Sequence, residues 1–485
     1  MATFTPSHLQ QAIFNEIGAS SRHVVIKATA GSGKTRTLEE AFKYLPKGAS
    51  CVMLALNKTI ATELESRGLP GKTFHSLCYG ASMSFKKCKQ VDHNKKYDVI
   101  DSVCGDSAPL YGQFLLKLVG LGKNAGIGCL IDDTSENWMS LVNHHDLELE
   151  SDKADMATAI SYASKVLKAS NAWRTIDFDD MMYLCVKEGL TLPKFDFVFV
   201  DESQDTNAIG RAVLRKIMHA NSRLFAVGDE FQSIYGFRGA DSTAMDMLIQ
   251  EFDAKQLPLS ISYRCSKAVV DFARSFCPTI EAAPDAIQGA VTDLGTKFNI
   301  KEFKGTDLIV CRTTRPLITL AYRMLKERMP VRILGKEIGQ GLKSLIKKMN
   351  AKGIDALQDK LTAWTAREVE KAKAKRNEAK AEAIQDKSDC VLFLIDSLPE
   401  TARTIPALES VIDSLFADHA SATRLSTVHK AKGLEADRVY WLNSSQCPAK
   451  WAKQDWQIRQ EMNICFVAAT RAKSELVLIE EPKKV

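Results

Sequence analysis

The sequence contains no Cys-x-x-Cys pair, no apolar run long enough to cross a membrane and no repeat of short period. Its 12 cysteines are scattered through 485 residues. Several sit in apolar runs, as Cys51 and Cys311 do, which indicates reduced, buried thiols and excludes a disulfide framework or a zinc site. The missing membrane-length run excludes a transmembrane helix. The N-terminus lacks the charged-then-apolar order of a signal peptide, so the expected compartment is cytoplasmic (bacterial or phage-infected cell) or nuclear. Charge of one sign is also lacking: 65 basic residues face 59 acidic ones. The net +6 is only a mild indication of a polyanionic partner. Low complexity is confined to an Ala/Lys/Glu stretch, Glu368 to Glu382, which reads as a solvated helix face with i,i+4 pairs. A nucleic-acid-gripping helix is its alternative. With 45% hydrophobic and 26% charged residues, the chain is an ordinary globular sequence, too long for one core.

What is present centres on Ala28-Thr29-Ala30-Gly31-Ser32-Gly33-Lys34-Thr35. It follows the β-branched run Val24-Val25-Ile26 and precedes a helix-compatible segment, Thr37 to Tyr44. Strand, glycine turn and helix start in that order make a phosphate cradle, because backbone N–H groups and the helix dipole converge on one anion. Gly31 and Gly33 permit the bend, Lys34 supplies a point charge, and Thr35 a hydroxyl for Mg²⁺. Ala28 replaces the usual first glycine of this pattern. Hydrolysis also needs a metal-holding carboxylate and a base. Phe197-Val198-Phe199-Val200 reads as a buried strand ending in Asp201-Glu202, which supplies Asp201 for Mg²⁺ and Glu202 to take a proton from water.

Elsewhere, Phe4 to Ile17 and Thr59 to Ser66 read as helices, and Cys51 to Leu56 as a strand. Asn171 to Lys187 reads as one helix, and Leu224 to Val227 as a strand. Further strands are expected at Leu308 to Cys311, Val331 to Leu334, Arg424 to Thr427, Val439 to Leu442 and Glu475 to Ile479. Strands alternating with helices in two blocks indicate two parallel-sheet domains.

Seven ordered motifs carry a family resemblance. Asp201-Glu202-Ser203-Gln204-Asp205 is similar to the Asp-Glu-x-Gln-Asp element of superfamily 1 helicases. Gly228-Asp229-Glu230-Phe231-Gln232, continued to Ala240, resembles their third motif. Tyr263-Arg264 resembles the fourth, Thr427 to Glu435 the fifth and Val467 to Lys473 the sixth. The set resembles the UvrD/Rep/PcrA-like branch, and Ala55 to Ala61 is similar to the form found in F-box DNA helicases and phage relatives. Phe178-Asp179-Asp180-Met181 resembles the element that returns the chain to the first motor.

The resemblance implies an α/β protein with two RecA-like motor domains (a P-loop NTPase), each with a mainly helical insertion. The first motor is expected at 1–75 and 170–250 with its insertion at 76–169. The second is expected at 251–336 and 420–485 with a short insertion at 337–419, and no room for a nuclease domain after the last strand. It implies ATP contacts from Gln10 (or Gln11) at the adenine edge, Ala30, Gly31, Ser32, Gly33, Lys34, Thr35 and Arg36. Tyr263 stacks on the base, Glu435 accepts from the ribose, Gln232 senses the γ-phosphate, and Arg264 and Arg471 stabilise it. Asn57, Phe74, His75, Phe237, Arg238, His429 and Lys430 are implied DNA contacts, with a strand-tracking preference for aromatic planes and a basic rail. The implied activity is an ATP- and Mg²⁺-dependent helicase moving 3′ to 5′ on single-stranded DNA and opening tailed duplexes, in replication, recombination or repair. The alternatives are a translocase that strips proteins such as recombinase filaments, and a DNA-stimulated ATPase subunit of a larger nuclease or effector assembly.

Overall fold

The computed structural model describes residues 4–55, 58–145, 147–149, 151, 153–234, 243–374, 377–417 and 422–482. The chain divides into two compact units, one formed by residues 1–29 and 33–260, the other by 30–32 with 261–485.

The first unit holds a six-stranded, all-parallel sheet in the order β3-β2-β4-β5-β1-β6. Its strands are β1 (Val24–Ala28), β2 (Cys51–Ala55), β3 (Gly71–Thr73), β4 (Phe195–Val200), β5 (Met218–Gly228) and β6 (Lys255–Leu259). β1, β2 and β4 are apolar almost throughout because both faces of the sheet are covered. On one side lie helices α1 (His8–Ala19), α2 (Lys34–Ala41) and α3 (Lys58–Ser66), packed around Phe14, Leu38, Leu64 and Phe199. Ser7 starts α1 through a capping box with Gln10. The other face joins the core of the helical insertion, which contains α4 (Phe74–Lys86), α5 (Lys95–Cys104), α6 (Ala108–Ala125), α7 (Ser135–His144), α8 (Met156–Ala172) and α9 (Asp180–Lys187). Helices α10 (Ala208–Lys216) and α11 (Ala244–Phe252) complete the unit.

The single helix expected over Asn171–Lys187 is two helices broken at 173–179. Asp177 and Asp180 cross-cap, each carboxylate accepting the other's backbone N–H at 2.9 Å. Lys123 then pairs with both, Lys95 with Asp180. These buried charges must be paired, and straightening the chain would separate them.

The second unit carries its own six-stranded parallel sheet. A two-residue pair, β7 (Ile261–Ser262) and β8 (Glu281–Ala282), precedes it, with α12 (Lys267–Ala273) between. The sheet comprises β9 (Ala290–Gly295), β10 (Leu308–Cys311), β11 (Val331–Ile333), β12 (Thr423–Thr427), β13 (Ala436–Leu442) and β14 (Ala472–Ile479), in the order β11-β12-β10-β13-β14-β9. Helix α13 (Arg315–Lys326) packs on it, and α14 (Lys336–Lys348), α15 (Ile354–Ala374), α16 (Glu378–Ser397) and α17 (Ile405–Phe416) form the helical insertion before α18 (Asp455–Ala469). The Ala/Lys/Glu stretch is not one solvated face. It spans the end of α15 and the start of α16, buries Ala372 and Ala381, and sends Glu382 to Arg312 and the Trp451 indole.

Candidate functional site

The ends of β1, β4 and β5 lie side by side because β5 pairs with both neighbours in parallel register. In an open α/β sheet the carboxyl ends of the strands form the ligand crevice, and all three loops there carry charged residues. After β1, Gly31 and Gly33 take left-handed φ values of 72° and 77°, which any Cβ would strain. Helix α2 begins at Lys34, earlier than the Thr37 expected, so its first N–H groups face the turn.

Lys34 Nζ lies 2.8 Å from Glu202 Oε1. Burial alone would lower the lysine pKa, but Glu202, Asp229 and Asp201 together raise it. Glu202 follows β4 with a left-handed φ of 53°, and that strained turn aims it back at Lys34. Its second oxygen accepts from Gln204 Nε2, whose Oε1 accepts the Asp229 N–H at 2.9 Å. Thr35 Oγ1 donates to Asp201 Oδ2 at 3.1 Å. Burial, reinforced by the Glu202 charge, pushes the Asp201 carboxyl up to about 6, and burial pushes Asp229 equally to about 6. Gln232 Nε2 donates to Asp229 Oδ2 at 2.6 Å. Three carboxylates thus surround one ammonium. Asp229 and Gln204, which close this network, carry no role in the sequence reading; their place in the third and second motifs was the available signal.

Gln10 is buried beside Gly33 and donates to Thr37 Oγ1 at 3.0 Å. Gln11 instead reaches Asn15 along its own helix. Arg36 pairs with Glu40 at 2.6 Å and lies over the Phe4 ring. Ala30 is buried, and the buried Ser32 hydroxyl has no hydrogen-bond partner among the described residues. An orphaned hydroxyl in a glycine turn suits an anion, and the hard oxygens of Thr35 and Asp201 suit Mg²⁺.

In the second unit, Glu435 precedes β13 and Arg471 precedes β14; the register Ala436↔Ala472 brings them to one edge of the sheet. Arg264 Nε meets Glu435 at 2.6 Å and Lys473 Nζ meets it at 2.7 Å. Burial would raise the Glu435 carboxyl, but Lys473 and Arg264 hold it below its usual range. Lys473 was not among the residues singled out from sequence. Tyr263 is 49% exposed, a ring free to stack. Arg471 is 1% exposed and donates to the Val467 and Leu434 carbonyls. His429 and Lys430 follow β12 at the opposite, carboxyl edge, where Lys430 pairs with Glu337.

Phe74 corrects the sequence reading. It is 2% exposed and belongs to the core shared by sheet and insertion, because the first residue of α4 points inward from the capped Thr73 turn. Its neighbour His75 is the accessible one, stacking on Phe178 with centroids 3.8 Å apart. Phe178 itself is 56% exposed. Burial lowers the His75 pKa to about 4, so the ring is neutral at pH 7. Asn57, Phe237 and Arg238, and Leu56 beside them, lie outside the described residues.

Two parallel sheets, one ending in a glycine-turn phosphate cradle opposed by an acidic strand end, define a RecA-like P-loop NTPase. The UvrD/REP helicase N-terminal domain family matches residues 9–253, and the UvrD-like helicase C-terminal domain matches 360–482. The chain belongs to the UvrD-like helicase family. It is 26% identical to F-box DNA helicase protein 1 of Schizosaccharomyces pombe, across 93% of this chain and 55% of that protein. ATP-dependent DNA helicase PcrA of Bacillus subtilis is 26% identical across 51% of this chain and 36% of its own length. ATP-dependent DNA helicase Rep of Escherichia coli is 25% identical, across 51% and 40%. The chain therefore spans about a third to just over half of the length of these relatives. No described helix is long and apolar enough to cross a membrane.

Proposed function

We propose that this chain is an ATP-driven DNA motor that moves 3′ to 5′ along single-stranded DNA and opens tailed duplexes. The observation that carries the proposal is the pairing of Lys34 and Thr35, after β1, with Glu202 and Asp201, at the end of β4, the two strands that flank β5. Lys34 and Glu202 neutralise one another in this ion pair. A triphosphate competes for the ammonium, and Lys34 moves its charge from the carboxylate to a phosphate oxygen. Glu202, still held on one oxygen by Gln204, is then released to accept a proton from the attacking water. Thr35 and Asp201 would hold a magnesium ion, which would supply positive charge against the phosphates. Gln232, fixed on Asp229, reports the γ-phosphate to the loop that follows it. The resemblance assigns Arg264 and Arg471 to that same phosphate, and Tyr263 and Glu435 to the nucleoside.

For the strand, the His75–Phe178 stack offers the exposed aromatic plane that Phe74 does not. Duplexes with a single 3′ or 5′ tail test the proposal directly. ATP-dependent opening from the 3′ tail is expected; opening from the 5′ tail alone would sink the direction, and none from either would sink the motor reading.

A further inference from the structure

The exposed surface between α4 and α5 carries a feature that the helicase motifs do not use. The thirteen residues Phe85 to Tyr97 include five lysines and a single acid, Asp92. Two of their charges are spent internally. Lys95 is buried on Asp180 and the Ser170 carbonyl, and Asp92 accepts from Thr175 Oγ1 at 2.9 Å and from the N–H groups of Asn94 and Lys95. Lys87, Lys89 and Lys96 are exposed, and the Lys96 charge also acts on the buried Asp179 carboxyl. Phe85 and Tyr97 stand exposed at the two ends of the segment. A lysine ammonium lies 5.6 Å from each ring centroid, Lys86 at Phe85 and Lys96 at Tyr97.

The segment is also held in place. Lys86 and Lys95 donate to the carbonyls of Asn171 and Ser170, adjacent residues at the end of α8. The Asp92 N–H donates to the Ile176 carbonyl at 2.8 Å, two residues before Phe178. The lysine-rich surface is thereby tied to the end of α8 and to the loop that carries Phe178, which stacks on His75 of α4.

We propose that this face of the first insertion is a second binding surface for single-stranded nucleic acid, with phosphates on Lys87, Lys89 and Lys96 and bases on Phe85 and Tyr97. Exposed ammonium groups interleaved with exposed rings match a strand whose phosphates and bases alternate. An acidic protein segment would satisfy the lysines but leave both rings without a partner. The proposal rests on the DNA-motor reading and extends the strand path beyond the motif residues.

The test is fluorescence anisotropy of the full chain with oligo(dT) strands about 10 and about 40 nucleotides long, over a range of salt. The variants are K87E/K89E/K96E and F85A/Y97A. For the long strand the lysine variant should lower the slope of log affinity against log salt by about 2, since each lost single-strand phosphate contact removes about 0.7. The ring variant should weaken the long strand about 5-fold or more. Maximal DNA-stimulated turnover at saturating DNA should stay at wild type in both. With 5-iododeoxyuridine strands, photocrosslinks should map to Phe85 or Tyr97. Unchanged slope and affinity in both variants, while wild type binds DNA, would overturn this surface alone. Wild type that neither binds nor responds to DNA would overturn the motor reading. Poly-glutamate bound as tightly as oligo(dT), and lost in the lysine variant, would assign the face to acidic protein and overturn the nucleic-acid assignment.

Discussion

Replacing Asp229 by asparagine should stabilise the nucleotide-free protein. Asp229 is fully buried, and burial pushes its carboxyl from 3.8 to about 6 despite Lys34, the Gln232 hydrogen bond and the Phe231 N–H. Because folding raises this pKa, the native state binds the proton more tightly than the unfolded chain does. The cost of the ionised form is complete above about pH 6, fades as pH falls through that value, and is gone below 3.8. The gap corresponds to about 3 kcal/mol at pH 7.5 and about half of that at pH 5. The amide keeps an acceptor for the Phe231 N–H, and a flip of the Gln232 amide restores the other bond. Any residual mismatch is independent of pH, so the change between the two pH values is the cleaner measure. A unit of this size gains about 2–4 °C per kcal/mol. Thermal unfolding should therefore show Asp229→Asn melting several degrees above wild type at pH 7.5, with the advantage roughly halved at pH 5. An advantage that is equal at both pH values, or larger at pH 5, would refute the electrostatic origin.

Glu202→Gln should retain ATP binding and lose at least about 10²-fold in turnover, whereas Lys34→Ala should weaken nucleotide binding as well; normal turnover in the first variant would remove Glu202 as the base. Phe74→Ala should cost about 3–5 kcal/mol of stability as a core deletion, while Phe178→Ala should leave the melting temperature near wild type and weaken single-strand binding by about 1–3 kcal/mol; the reverse pattern would return the DNA role to Phe74. Arg264→Ala should cut DNA-stimulated turnover with strand binding nearly intact, and unaltered steady-state hydrolysis would withdraw that arginine from the γ-phosphate.

The parallel strands were legible because buried strands in such sheets are continuous apolar runs: Leu308–Cys311 ends where the sequence alone would end it. The β9 edge strand, Ala290–Gly295, was not legible, since it is short, has no buried residue and shows neither an apolar run nor a clean alternation. Lys34, Thr35 and Asp201-Glu202 were singled out by their motif spacing, and the structure brings them together. Asp229 and Gln204 stood inside the motifs, but their mutual hydrogen bond is a tertiary contact that spacing does not encode. The reading failed at Phe74 for a related reason. An aromatic beside a capping threonine has the same composition whether it faces solvent or core, and only the packing of the insertion decides. Asp177 and Asp180 show the same limit, because the lysines that bury them lie more than fifty residues away along the chain.

The Lys34 site holds more negative than positive charge, and under the proposed function that bears on how nucleotide would be sensed. Asp201, Glu202 and Asp229 face one ammonium, so neutrality is reached only if carboxyls protonate or cations arrive. Burial raises the Asp201 and Asp229 carboxyls, both to about 6, which eases that excess. Glu202 is held in a left-handed turn by the ion pair to Lys34, so removing Lys34 to a phosphate withdraws the contact that offsets the strain. Asp229 and Gln204 link this event to the next loop, since the Asp229 N–H rests on Gln204 and Gln204 on Glu202. A charge transferred at Lys34 therefore changes the partners of β4's end and of β5's end together, and the latter leads through Gln232 into the loop whose resemblance implies DNA contact. Under the proposed function, Gln204 would carry the coupling of nucleotide to strand. Gln204→Ala should hydrolyse ATP with a modest loss while its stimulation by single-stranded DNA falls by at least half. Stimulation that stays at the wild-type ratio would place the coupling elsewhere.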